Sequence, residues 1–162
     1  MTLCRPISRA LVENSIAKGV DAPKEAEAFL LHAFERLDEK AALAVLLGDH
    51  YFGCAHHKGR DLLQAVEWYA KAIALDTQNE LWLPYAYLGG VYERFGLARQ
   101  AAALHDAAAD VHGSPVSLDE HWQSSLCDLL IRDRRDMETI VASLEQLWDA
   151  GLGDQAAEAL KP

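Results

Sequence analysis

Residues 44–76 read AVLLGDHYFGCAHHKGRDLLQAVEWYAKAIALD, and their spacing decides the fold. Apolar residues recur at helical intervals on both sides of a short segment containing Gly and His, which predicts two amphipathic helices joined by a loop. The first carries Leu47, Gly48 and Tyr51; the second carries Ala65, Trp68, Tyr69 and Ala72. Glycine inside a helix costs about 1 kcal/mol relative to alanine, so Gly48 calls for a compensating contact. Close approach of a neighbouring helix supplies one, and Ala65 and Ala72, seven apart on one face, offer small partners. The pattern returns with Leu88, Gly89 and Tyr92, followed by Ala101, His105 and Ala108. A helix pair that recurs with small residues at the contact predicts an all-α protein built as an α-solenoid.

Outward from this stretch, the same reasoning places about eight or nine helices. Pro6 suits the first turn of a helix over 6–18, and Gly19 the left-handed residue after its end. Asp21 is positioned to cap a second helix from about Ala22 to Leu37, in which Ala26, Leu30 and Ala33 repeat the spacing of Ala65, Tyr69 and Ala72. Helices follow over about 39–52, 60–75 and 82–95, the last with Pro84 in its first turn, where proline is tolerated. The next covers about 98–111 and is closed by His112-Gly113-Ser114-Pro115. Ser117 and Glu120 have capping-box spacing for a helix over 117–131. A helix over 137–150 comes next, and Gly151-Leu152-Gly153 is expected to break the chain before a short one over 154–160. No segment alternates with period two, so strands are not expected. Gly48 and Ala65 are 17 apart and Gly89 and Ala101 are 12 apart, so the first pair holds five more residues in its loop.

These elements form a single domain over 1–162: a degenerate repeat over 1–38, repeats over 39–76 and 79–113, and a degenerate repeat with a capping helix over 117–162. Hydrophobic residues make up 51% of the chain, with only 5 Pro and 10 Gly, a composition that suits a compact helical core. No apolar run approaches the roughly 18 residues that would predict a membrane span, and the start of the chain does not read as a secretory signal. A cytoplasmic protein is expected. The three cysteines, Cys4, Cys54 and Cys127, lie far apart without a CxxC pair, so free thiols are expected rather than a disulfide framework. The formal net charge of −10 disfavours nucleic acid and anionic membranes as partners and favours basic or neutral ones.

The residues around Tyr85, Leu88-Gly89, Tyr92, Gly96, Ala101 and Ala108 resemble a tetratricopeptide repeat. The preceding copy, with LGDHY, a longer loop, Asp61 and AVEWYAKAIAL, is similar to the Sel-like variety of that superfamily. Its loop departs from the usual double-glycine pattern, with Gly53 and Gly59 flanking Cys-Ala-His-His-Lys. The resemblance covers about 44–111. It implies a right-handed superhelix whose concave face is lined by the first helix of each pair, and a protein-holding rather than catalytic role. Carried over residue by residue, that groove would present Val45, Asp49 and Phe52 from one repeat and Leu83, Ala86, Gly90 and Glu93 from the next, with Arg94 beside them. The Lys and Asn that clamp a terminal carboxylate in chaperone-tail-binding members are replaced by Asp49, Gly90 and Glu93. The implied partner is a protein or peptide with apolar and basic side chains, held as an adaptor, dedicated chaperone or immunity-type protein would hold it.

Two other readings stand beside this one. His50, Cys54, His56 and His57 have metal-ligand character, since His50 and Cys54 are four apart on a helix face and adjacent imidazoles could complete four ligands. Against them, the helix is expected to end near Phe52, and imidazoles near a helix C-terminus are already favoured by its dipole. A solvated loop accounts for them. The other rival is a self-assembling structural protein in which the short last helix fills a neighbour's groove. No cofactor is expected, and with no phosphate loop, GxSxG or HExxH motif the chain does not read as an enzyme. His105 reads as a half-buried, hydrogen-bonded residue between helices. Trp68, Trp82, Trp122 and Trp148 read mainly as packing between helices, with Trp82 a candidate for the groove edge.

Overall fold

A computed structural model describes residues 22–53, 61–118, 120, 123–124, 126–127 and 137–161. The described residues form helices joined by turns and short loops, with no strand among them. Helix α1 is Ala22–Arg36, α2 Lys40–Gly53, α3 Leu62–Leu75, α4 Leu83–Arg94 and α5 Ala98–His112. A sixth helical stretch is two helices, α6 (Met137–Leu147) and α7 (Gly153–Ala159), joined across a kinked turn, Trp148–Leu152. Of the eight or nine helices expected, these six stretches are described. The helix expected over 6–18 and its Asp21 neighbour lie outside the described residues. So does most of the one expected over 117–131, where residues 120, 123–124 and 126–127 are helical.

Each boundary has a local cause. Asp61, with extended backbone, accepts from the amides of Leu63 and Gln64 through Oδ1 at 2.9 and 3.2 Å and caps α3. Asp76 ends α3, and its Oδ2 accepts from the Leu81 amide at 2.8 Å, which closes the link to α4. Pro84 sits in the first turn of α4, where no intrahelical donor is lost. Gly113 adopts φ +84° and ends α5, the left-handed position that glycine occupies without strain.

Packing is closest between α2 and α3 and between α4 and α5, with α1 against α2 and α3 against α4. The core runs through these neighbours, from Leu47, Leu62, Val66 and Tyr69 to Leu88, Tyr92 and Leu104, and on to Ile140, Leu144 and Ala156. Gly48 is close to α3, as its helical setting required, but its neighbour is not an alanine. A Cβ built there would lie 2.5 Å from Tyr69 Cε1, so the phenol ring of Tyr69 fills the space that glycine leaves. Gly89 meets the His105 ring at 2.8 Å in the same way. A flat ring over a glycine brings two helix axes together without a void, which alanine alone would leave.

Gly151-Leu152-Gly153 interrupts the helix, as expected: Gly151, at φ +139° and ψ −15°, is non-helical and puts a kink between α6 and α7. Phenol hydroxyls hold this stretch to α4: Tyr92 donates to the Leu144 carbonyl at 2.5 Å and Tyr85 to that of Gln155 at 3.4 Å.

Candidate partner-binding surface

The groove expected from sequence is largely filled by the protein's own side chains. Val45, Phe52, Ala86 and Gly90 are buried, Phe52 with only 3% of its surface exposed. Helical spacing turns these positions toward neighbouring helices, where apolar surface is worth about 25 cal/mol per Å² buried. Phe52 stacks parallel to Tyr87, with centroids 6.4 Å apart, and both lie against Tyr69. Asp49 is half-buried and accepts the Tyr69 hydroxyl at 2.7 Å, so its carboxylate is committed to α3 rather than held open at a rim. Leu83 is half-buried. Of the eight groove residues, only Glu93 and Arg94 are exposed, and both have neighbours: Glu93 Oε2 lies 3.4 Å from His105 Nε2, and Arg94 Nη2 donates to Cys127 Sγ at 3.3 Å.

His50 is buried, 4% exposed, with its ring edge-on to Tyr51 at 5.3 Å. Cys54, His56 and His57 lie outside the described residues. Among the described residues, no three His, Cys, Asp or Glu side chains gather as metal ligands would. No helix described is long and apolar enough to cross a membrane. Trp82 is half-buried and meets His112 edge-on at 4.7 Å.

A different surface is open. Helix α3 buries Ala65, Val66, Tyr69, Ala72 and Ile73, which leaves Glu67, Trp68, Lys71, Ala74 and Leu75 on its outer side. Trp68 packs edge-on against Phe34 of α1, centroids 5.2 Å apart at 78°, and both rings are half-buried. The Lys71 ammonium lies 4.8 Å from each ring centroid, and Lys40 Nζ lies 5.3 Å from that of Phe34. Glu67 precedes Lys71 by four residues, the spacing that favours an ion pair on a helix, yet Lys71 turns to the rings. The negative faces of two rings attract one ammonium while leaving its outer side to water. Leu37, three residues after Phe34, is 53% exposed and extends the apolar strip.

On the far side of Lys71 a cleft of about 320 Å³ opens between α3 and the bend of the last helical stretch. Glu67, Ala70, Lys71 and Ala74 form one wall; Leu147, Ala150, Gly151, Leu152 and Gln155 form the other. The bend at Gly151 therefore shapes the cleft. The sequence offered only part of this signal: Trp68 and Lys71 at a three-residue spacing mark one side of α3. Phe34, in another helix, has no local feature that joins it to them. Three buried phenols elsewhere in the core are shifted by their burial. Desolvation pushes Tyr85 up to about 12, with Asp76 adding to it, and drives Tyr92 higher still. Tyr51, which donates to Glu27 Oε1 at 2.6 Å, is raised first by burial and then by that carboxylate.

No protein-family model matches the chain, and no curated protein and no solved structure matches it either.

Proposed function

We propose that the chain is a protein–protein interaction module, an adaptor or dedicated chaperone of the cytoplasm in which paired helices stack as an α-solenoid of tetratricopeptide-like repeats. The observation that carries this reading is the outer side of α3: two half-buried rings under a single ammonium, continuous through Lys71 with an apolar-walled cleft. Aromatic rings beside a concavity, Trp above all, are the side chains that anchor protein interfaces. The ring-on-glycine contact made in both the α2/α3 and α4/α5 pairs supports a repeated building unit. Docking is assigned to the outer side of α3 because half of the groove residues named from sequence, Val45, Phe52, Ala86 and Gly90, are buried.

A photo-crosslinking residue placed at Ala74, which lines the cleft and is exposed, tests this against one at Ala102, exposed on α5. In an extract of the source cells, Ala74 is expected to yield a discrete adduct and Ala102 none. A third position, Glu93, separates the two surfaces. An adduct there and not at Ala74 would return docking to the groove, and no adduct at either would overturn the interaction reading.

A further inference from the structure

We infer that Gly151 is a hinge with two settings: the bent one of the structure, and a straight one in which α6 and α7 run as one helix over 137–159 and the cleft beside α3 loses a wall. The inference goes beyond the interaction reading and rests on backbone geometry and packing alone, so its failure leaves that reading standing. Gly151 is the one non-helical residue within Trp148–Leu152. Leu147 at φ −64° and ψ −39°, Leu152 at −61° and −38°, and Gly153 at −61° and −42° are already helical. The ψ of Gly151 is −15°, so straightening the stretch takes a rotation almost wholly about φ, from +139° to about −63°. The path runs through positive and extended φ, which a residue without a Cβ crosses at little cost.

What holds α7 in the bent setting is slight. It packs on α5 with Ala156 and Ala159 buried, two methyl groups, and the Tyr85 hydroxyl reaches the Gln155 carbonyl at 3.4 Å. Leu152 adds one buried side chain at the hinge, while Leu160 at the end of α7 is 41% exposed. Helix α6 is held more firmly, by Ile140, Leu144 and the 2.5 Å bond from Tyr92, so α7 is the part that moves. Seven residues are too few to form a helix alone, but as an extension of α6 they add hydrogen bonds without a new nucleus. Glycine at 151 and 153 weighs against the straight helix, which leaves the bent setting in the majority. The wall of the cleft opposite α3 includes Leu152 and Gln155, and both leave with α7. The hinge is thus a gate on that cleft.

Pulsed EPR on the full chain, with spin labels at the exposed Glu138 and Glu158, reads the hinge directly. In a straight helix the two Cα atoms lie about 30 Å apart, at about 1.5 Å per residue; the bent form holds them closer. The parent is expected to show the shorter distance as its main population. Gly151→Ala, whose side chain penalises positive φ and favours helix, should raise the long-distance population about tenfold or more. D-alanine at position 151, introduced by ligating a synthetic segment at Cys127, accepts positive φ and should keep the shorter distance. Tyr85→Phe, with Gly151 intact, should raise the long-distance population about threefold, the size of one weak hydrogen bond. If L- and D-alanine lengthen the distance alike, bulk rather than backbone is responsible and the hinge is overturned. It is overturned too if Gly151→Ala keeps the parent's distance, or gives a broad spread without the long peak, since α7 then melts instead of joining α6.

Discussion

A methyl group at Gly48 would meet a ring that has nowhere to go. Tyr69 is fully buried, its hydroxyl is donated to Asp49, and Phe52 and Tyr87 flank it. Alanine would gain about 1 kcal/mol of helix propensity, but forcing a Cβ to 2.5 Å from that ring requires repacking that costs about 1–3 kcal/mol. Gly48→Ala is therefore expected to lower the midpoint of urea unfolding. Gly89→Ala meets His105, which is half-exposed and tied only to an exposed glutamate at 3.4 Å, so its ring can swing outward. That variant should fall within about 1 kcal/mol of the parent. A higher midpoint for Gly48→Ala would mean that the Tyr69 ring yields as readily as His105.

At the level of the element, capping and backbone geometry set the ends and the bend. Removing the Asp61 carboxylate leaves two amides at the start of α3 without their acceptor, and Asp61→Ala should cost about 1 kcal/mol in denaturant unfolding. Gly151→Ala forces a side chain into φ +139°, a region that only glycine enters cheaply, at a cost of about 1–3 kcal/mol. Its signature should be faster amide hydrogen exchange over 153–159, since α7 hangs from that bend. Helices α2 to α5 were readable to within two residues because local signals mark their ends: Pro84, Gly113, and the apolar spacing on either side. The break at Gly151 was readable too, from two glycines in three residues. What no local signal marks is the fastening of the segments on either side of it to Tyr92 and Tyr85 of α4.

For the molecule as a whole, the phenols make stability a function of alkaline pH. Tyr85 titrates at about 12 when folded and near 10 when unfolded, so between those values the unfolded chain binds fewer protons. The stabilisation is complete below pH 10 and declines as pH rises toward 12; Tyr51 and Tyr92, both raised, steepen the decline. Thermal melts from pH 8 to 11 should show a plateau followed by a fall, and Tyr92→Phe should make the fall shallower. A parent that is flat to pH 11 would show that these phenols ionise in place. The surface patch on α3 is also a property of the whole molecule. Its rings come from residues 34 and 68 and its cleft from 67–74 and 147–155, and helical periodicity describes one element at a time. The same limit explains the expected groove: periodicity identified Phe52 and Ala86 as a helix face, but only the arrangement of neighbours decides that this face points into the core.

Both hydroxyls that fasten α4 to the C-terminal stretch end on peptide oxygens, those of Leu144 and Gln155. A peptide oxygen is the same whichever residue owns it, so the clasp reads the path of the chain and is blind to its lettering. Residues on the outer side of α6 and α7 are thus free to drift. Loss of one residue between the two anchors is another matter: it alters the path through the Gly151 kink, and the two oxygens no longer meet both phenols.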